Sequence, residues 1–406
     1  MSRIFHDGVR PRAGLFAAAL VSSSLCAALF AAAMPAAQAA GSVTLNETGS
    51  TLLYPLFQLW IPDYAGVAPD VTITAAATGS GKGIEAAISG EARMGASDAY
   101  MSDEQAQKNR GILDIAVAIS AQTVNYNVPG LNEAGLKLDG PTLAGIYSGK
   151  ITNWDAPAIA ANNPGVQLPH QTIVPIRRAD VSGDTFIFTQ FLDFSTQTWE
   201  YRVGYGTSVA WPEVAGEKTA AGNEGMVQAL AKTPYSVGYV GVSFRDAIAK
   251  ANLGTAPLKN QSGKFVLPTP ETVSKGASAL DARTPPDQRL TLVFAPGEQS
   301  YPLVNYEYVV VSARQDDPGV AAALRGFLRW AISLQGGNAA KYLDAVGFIP
   351  LPTFIRALSE KSDRSHQGAE PKPIVAPAKA ASALIRNWTK RHGRDKPGHD
   401  IKQTAL

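Results

Sequence analysis

The most informative stretch of the chain is Ile176-Arg177-Arg178-Ala179-Asp180-Val181-Ser182-Gly183-Asp184-Thr185-Phe186. An apolar run before it predicts a strand, and an apolar run after it predicts a helix. The turn between them ends at a helix N-terminus, where unpaired N–H groups and the helix dipole favour anions. Arg178 adds a planar cationic fork, Asp180 can hold that fork in place, and Gly183 lets a ligand approach the backbone. An ordinary N-cap beside a surface arginine explains the same residues, so this stretch alone leaves both interpretations open.

Two earlier stretches repeat the pattern of strand, small-residue turn and helix: Gly49-Ser50-Thr51-Leu52 and Thr78-Gly79-Ser80-Gly81. Both offer hydroxyl groups and free N–H groups at a helix start. The second also looks like a nucleotide P-loop, but Ala76 stands in place of the first glycine and Gly83 in place of the magnesium-binding Ser or Thr. A glycine-rich turn that presents Ser80 is the simpler interpretation, with a flexible linker as the alternative.

Asp98 closes a short apolar strand, Met94-Gly95-Ala96-Ser97, and precedes a capping box that begins at Ser102. In isolation this aspartate is most simply a turn residue. It becomes a candidate site residue only when it is considered together with the three strand-to-helix junctions.

Composition and the order of the predicted segments place the chain among globular α/β proteins. Its 406 residues are 45% hydrophobic and 17% charged, which suits two domains with a substantial core. Strand-like and helix-like segments alternate throughout, and this alternation predicts the α/β class.

Both ends of the chain differ from this body. Residues 1–40 have a basic start, an Ala/Leu-rich run and an Ala37-Gln38-Ala39 end, which predict a cleaved signal peptide, with a retained membrane anchor as the alternative. The single cysteine, Cys26, lies inside this segment, and Leu25 before it is too bulky for the usual lipoprotein signal. The mature chain then has no disulfide and no thiol chemistry. Residues 361–406 are rich in Pro, Ala, Lys and Arg and predict a disordered basic tail, which could touch an acidic membrane surface.

Charge and histidine content exclude other classes. The formal net charge is +2 for the chain, +2 for residues 1–40 and +5 for residues 370–406, so residues 41–369 carry −5. An acidic body argues against nucleic-acid binding. The five histidines are not closely paired in the body, so we expect no zinc site and no other metal or cofactor.

Together the three junctions and Gly95-Ala96-Ser97-Asp98 resemble the periplasmic phosphate-binding proteins of Pst-type phosphate ABC importers. Residues 143–147 (Leu-Ala-Gly-Ile-Tyr) and 151–155 (Ile-Thr-Asn-Trp-Asp) share the resemblance, which runs from about Val43 to about Leu351. It implies a two-domain periplasmic-binding-protein fold of type II, hinged, with the ligand in the interdomain cleft. Residues 41–121 and 303–356 would form domain I, and residues 122–302 domain II. It also implies a periplasmic monomer with two partners, inorganic phosphate and an ABC permease complex in the inner membrane.

The resemblance implies a phosphate site with one wall from each domain: Thr51, Leu52, Ser80 and Asp98 on the first, Arg178, Ser182, Gly183 and Asp184 on the second, with Ser50 and Asp180 in support. The chain departs from the family at two of these positions. Leu52 replaces a common Phe, which matters little if only its N–H binds. Asp184 stands where many members have Thr, so a hydroxyl donor is replaced by a second carboxylate.

Asp98 is the residue that would select the anion. An ionised carboxylate only accepts hydrogen bonds, so it can pair with the proton that phosphate carries at neutral pH, whereas sulfate and molybdate offer none. If Asp184 also faces the ligand, we expect it to favour H2PO4− and affinity to rise from pH 8 to pH 6. The alternatives are another oxyanion, a phosphatase, or a surface adhesin. The sequence shows no metal cage and no nucleophile beside a His base, so we expect no enzyme.

Overall fold

The computed structural model describes residues 42–364, so the predicted signal peptide and nearly all of the predicted tail lie outside the described part of the chain. The strands are β1 Val43–Gly49, β2 Val71–Thr74, β3 Met94–Ser97, β4 Ile112–Asn127, β5 Val174–Arg178, β6 Lys218–Ala220, β7 Ser236–Gly241, β8 Gly254–Thr255, β9 Leu258–Lys259, β10 Phe265–Val266 and β11 Val304–Ser312. The α-helices are α1 Tyr54–Val67, α2 Ser80–Ser89, α3 Asp103–Lys108, α4 Gly140–Tyr147, α5 Pro157–Asn162, α6 Gly183–Ser195, α7 Gln197–Arg202, α8 Gly222–Ala231, α9 Arg245–Lys250, α10 Pro270–Ser278, α11 Pro318–Ile332, α12 Ala340–Val346 and α13 Thr353–Arg364. Since α13 continues to Arg364, the first four residues of the predicted tail are helical.

One large sheet organises these elements in the order β2-β1-β3-β11-β4-β7-β5-β6, and β8 also pairs with β4. The first three strands are parallel, whereas β11 enters antiparallel between β3 and β4. The long strand β4 has two sets of partners. Residues 112–121 pair with β11, and residues 122–127 pair with β7, so the pairing changes between Ala121 and Gln122.

The core lies on the faces of this sheet. Nearly every residue of β4 is buried, which fits a strand covered on both faces. On one half of the sheet Trp60 packs edge-on against Phe327, with 6.0 Å between their ring centroids. On the other half Phe188 of α6 stacks on Tyr239 of β7, with 4.5 Å between centroids. The first contact joins α1 to α11, and the second holds α6 against the sheet.

The predicted strand-to-helix junctions are present and converge. β1, β2 and β5 each end in a short turn that leads into α1, α2 and α6, and β3 ends directly before Asp98. In open α/β sheets ligands bind beyond the carboxyl ends of parallel strands, because helix N-termini and turn residues gather there.

β4 and β11 each contain an Asn-Tyr pair, Asn125-Tyr126 and Asn305-Tyr306. The structure places them apart: Asn305 lies opposite Ser120, whereas Asn125 lies opposite Gly238 and Thr255. β11 does run beside β4, but only along the first part of that strand.

Among residues 42–364, no helix combines the length and the apolar character that crossing a bilayer requires. In the same range, no three His, Cys, Asp or Glu side chains are grouped so that they could hold a metal ion.

Candidate functional site

Asp98 is the buried acceptor at the centre of the site, with 2% of its surface exposed. The Ser50 hydroxyl donates to its Oδ1, and the Ser80 hydroxyl donates to its Oδ2 at 3.2 Å. The Asp98 N–H in turn donates to the Ser80 Oγ at 3.1 Å. Burial, followed by the charge of Asp184, raises the pKa of Asp98 to about 7, against the opposing effect of the Ser50 hydroxyl. Asp98 is thus held by the two turns that lead into α1 and α2.

Arg178 is the last residue of β5 and lies buried with its whole guanidinium engaged. Its Nε donates to Asp180 Oδ1 at 2.8 Å, and its Nη2 donates to Asp180 Oδ2 and to Thr51 Oγ1. Its Nη1 donates to Asp184 Oδ2 at 2.5 Å. Burial alone would lower the pKa of Arg178, but the carboxylates of Asp184 and Asp180 outweigh it and raise that pKa. Both carboxylate oxygens of Asp180 thus hold the guanidinium.

Gly183 brings the two halves of the site into contact. It is the first residue of α6, so its N–H has no acceptor within the helix, and Ser182 caps the helix by accepting from the Thr185 N–H at 3.3 Å. A Cβ at position 183 would lie 2.4 Å from the Ser80 Oγ and 2.5 Å from Asp98 Oδ2. Only glycine allows α6 to approach Ser80 and Asp98 this closely.

Thr51 links the same two halves through its hydroxyl group. Its Oγ1 lies 3.3 Å from Arg178 Nη2 and 2.9 Å from Asn223 Nδ2. The N–H of Leu52 behaves differently from the expectation, because it donates to the Ser50 Oγ at 3.0 Å. The Ser50 Oγ therefore accepts the hydrogen bond that the resemblance assigns to an oxygen of the ligand. The Leu52 side chain is buried against Gly241, which fits the expectation that its identity matters little for binding.

Asp184 lies inside the site, and protein donors surround it. Its Oδ2 accepts from Arg178 and from Asn223 Nδ2, the latter at 2.7 Å. Its Oδ1 accepts from Gln122 Nε2 at 3.0 Å. Both oxygens therefore have protein partners, and whether Asp184 also accepts a proton from a ligand stays a hypothesis.

Sequence reasoning missed Asn223 and Gln122. Asn223 stands at the start of α8, where Gly222-Asn223-Glu224 is a further turn-to-helix junction like those already singled out. That likeness was the available signal. Gln122 lies within β4 and carries no local signal, because only the tertiary fold brings it to Asp184.

The described structure therefore collects all the predicted site residues into one region. Hydroxyl groups, a guanidinium and the N–H of a helix start face a buried carboxylate, which is a donor set suited to an oxyanion. A cleft of about 260 Å³ adjoins the site, and Thr51, Asp180 and Asn223 are among its lining residues.

Comparison with known proteins places this chain in a family. A model of the PBP superfamily domain matches residues 35–334. The phosphate-binding protein PstS of Methanocaldococcus jannaschii is 32% identical over 329 residues, which cover 77% of this chain and 83% of that protein. PstS of Haemophilus influenzae is 32% identical over 320 residues, covering 79% of this chain and 91% of that protein. The chain belongs to the PstS family of the PBP superfamily.

Membership of the PstS family confirms the predicted resemblance and the predicted fold class, a two-domain periplasmic-binding-protein fold of type II. Among solved structures, a high-affinity periplasmic phosphate-binding protein, PfluDING, bound with phosphate at pH 8.5, matches with a TM-score of 0.62. It is 21% identical, and the match covers 82% of this chain and 100% of that chain, so it supports the fold.

Proposed function

We propose that this chain captures inorganic phosphate in the periplasm and delivers it to an ABC importer in the inner membrane. The names of its PstS relatives and of the phosphate-bound structural neighbour support this proposal. The observation that carries it is the placement of Asp98, a buried carboxylate that faces hydroxyl donors and the start of α6.

This placement favours an anion that brings its own proton. The donors of the site would bind any tetrahedral oxyanion, but Asp98 in its ionised form can only accept. An unpaired buried acceptor costs about 1–3 kcal/mol and more when charged, so sulfate should bind about tenfold to several hundredfold more weakly than phosphate. Another oxyanion without a proton is disfavoured for the same reason.

We further propose that the site lies between two hinged domains, residues 41–121 with 303–356 and residues 122–302. The change of β4 partners between Ala121 and Gln122 supports this division. Since the anion would contact donors from both domains, its binding would favour the closed form. A permease would then recognise that closed form of a monomeric carrier.

We propose a carrier rather than an enzyme. In the described residues Ser50 and Ser80 each donate to Asp98, and none of the three pairs with a histidine base. Release of p-nitrophenol from p-nitrophenyl phosphate by the pure protein, abolished by Asp98→Ala, would instead establish a phosphatase.

Calorimetric titration of the purified mature protein with phosphate and then sulfate at pH 8 tests the proposal. We expect saturable heats from phosphate and at least tenfold weaker binding of sulfate. Asp98→Asn should weaken phosphate binding and reduce the preference over sulfate, because an amide can donate to either anion. Asp114→Asn is the matched control, since Asp114 is equally buried with a pKa also raised to about 7 by burial, but accepts from the Met101 N–H. Equal affinities for the two anions in the unmodified protein would refute the proposal.

A further inference from the structure

Glu307 is a fully buried carboxyl group that the site described above does not use. It lies in β11 with none of its surface exposed. Its Oε1 accepts from the Ser120 hydroxyl at 2.5 Å and from Asn305 Nδ2 at 2.9 Å. Its Oε2 has no hydrogen-bond donor among the described residues. A buried ionised oxygen without a donor is costly, so the state of this group needs an explanation.

The sheet register places Glu307 behind Asp98. Tyr308 of β11 pairs with Ser97 of β3, so the next antiparallel position sets Glu307 against Asp98. Asn305 joins the two residues, because its Nδ2 donates to Glu307 Oε1 at 2.9 Å and to the Asp98 carbonyl oxygen at 3.4 Å. Two ionised carboxylates are acceptors only and repel each other, so a hydrogen bond between these neighbouring groups requires a proton on one of them.

The surroundings assign the proton to Glu307. Asp98 faces one cation, Arg178, and receives hydroxyl donors from two turns, although the Asp184 charge opposes these. For Glu307 the charged group within reach is Asp98 itself, while Ser120 and Asn305 supply neutral donors. Burial, followed by the charge of Asp98, raises the pKa of Glu307 well above its ordinary value.

We propose that Glu307 is a positioning residue that stays protonated and donates to Asp98, so that Asp98 stays ionised and presents one remaining acceptor site to the anion. This inference rests on the proposed phosphate-binding function. A carboxylate has about four acceptor sites. Ser50, Ser80 and Glu307 occupy three of them, and the fourth is available to the hydroxyl group of phosphate. Glu307 would thus contribute to selectivity without touching the ligand.

Two substitutions separate the donor role from a merely structural one. In Glu307→Gln the amide can still donate to Asp98 and accept from Ser120, so phosphate affinity should stay within about threefold of the unmodified protein from pH 6 to pH 9. Glu307→Leu removes the donor, so Asp98 should take up a proton at neutral pH. We expect phosphate affinity to fall about tenfold or more at pH 7, the preference over sulfate to shrink, and affinity to recover towards pH 9.

Glu47→Leu is the matched control, because Glu47 is also a buried carboxyl group whose pKa is raised by burial. Among the described residues Glu47 has no hydrogen bond to Asp98, Ser50 or Ser80, so its replacement should lower thermal stability without changing the pH profile of binding. If Glu307→Leu shows the same profile as the unmodified protein, or if Glu307→Gln loses binding as strongly as Glu307→Leu, the proposal is overturned.

Infrared spectroscopy tests the proton itself, independently of binding. At pH 8 the difference between the unmodified protein and Glu307→Gln should contain the carbonyl stretch of a protonated carboxylic acid. Absence of that band overturns the proposal even if phosphate binds. If the band is present but phosphate does not bind, the proposed function fails while the protonated Glu307 stands.

Discussion

Replacing Asp184 by asparagine should tighten phosphate binding. Asp184 adds a carboxylate to an anion site, and it occupies Arg178 Nη1 at 2.5 Å, one of the donors that an anion would use. Two unit charges about 6 Å apart at an effective dielectric of about 20 repel each other by about 3 kcal/mol. Asp184→Asn removes this repulsion and keeps the shape of the side chain.

Part of that gain is offset by weaker hydrogen bonds. Asparagine can still accept from Arg178 and Asn223 through its carbonyl oxygen. Its new NH2 group would face Gln122, whose Oε1 has no donor among the described residues and can become the acceptor if the Gln122 amide turns. If the weaker hydrogen bonds cost about 1.5 kcal/mol, about 1.5 kcal/mol of the gain in binding free energy remains. This corresponds to about tenfold tighter binding of phosphate.

Calorimetric titration with phosphate at pH 6, 7 and 8 measures the effect. The repulsion acts more strongly on HPO4²⁻ than on H2PO4−, so the unmodified protein should bind more tightly as pH falls, and Asp184→Asn should flatten that slope. The Asp184 charge also raises the pKa of Asp98, so the difference between the two profiles reports the direct repulsion of the anion together with this effect on Asp98. Asp193→Asn, which removes a carboxylate of the same helix α6 outside the site, should leave the profile unchanged. If Asp184→Asn binds phosphate no more tightly and keeps the slope of the unmodified protein, the electrostatic reasoning is wrong.

Three further outcomes follow from the structure. Asn223→Ala removes the hydrogen bond to Thr51 at 2.9 Å, which joins the two halves of the site, and the bond to Asp184 at 2.7 Å, so phosphate affinity measured by calorimetry should fall about tenfold with the preference over sulfate unchanged. Gly183→Ala would place a Cβ 2.4 Å from the Ser80 Oγ, so binding should weaken at least about a hundredfold, and small-angle X-ray scattering should show no compaction on adding phosphate. Burial raises the pKa of Glu47 to about 8 and of Asp114 to about 7. In the unfolded chain the same carboxyl groups have ordinary pKa values near 4, so between these values and the raised ones only the folded state keeps both protons. The melting temperature without phosphate should therefore fall from pH 5 to pH 8, by on the order of 5 °C, and less steeply in Glu47→Gln; a rising melting temperature would contradict this.

Local sequence was sufficient for much of the site. Ser182 and Gly183 predicted the start of α6 because capping and close approach depend on the residues at the junction itself. The glycine-rich turn before Ser80 likewise predicted the start of α2. The sequence around Asp98 alone predicted only a turn residue. Asp98 became a candidate site residue through the family resemblance, which groups it with the three strand-to-helix junctions.

The remaining site residues depend on contacts between distant parts of the chain. Gln122 and Glu307 lie within buried strands, where one polar residue in an apolar run shows neither its neighbours nor its protonation state. The Leu52 N–H was expected to bind the ligand, but the Ser50 side chain accepts it locally. Hydroxyl rotamers of this kind cannot be chosen from spacing alone, because several orientations satisfy the same turn.

The position of β11 between β3 and β4 has a consequence for biogenesis. The ribosome makes β3 and β4 early, yet the strand that separates them, Val304–Ser312, emerges only near the end of the folded region. Until then a nascent chain cannot complete its central sheet, and pairings over such long sequence separations form slowly. For a chain exported as we propose, the same delay would leave the polypeptide unfolded while a translocation machinery engages it.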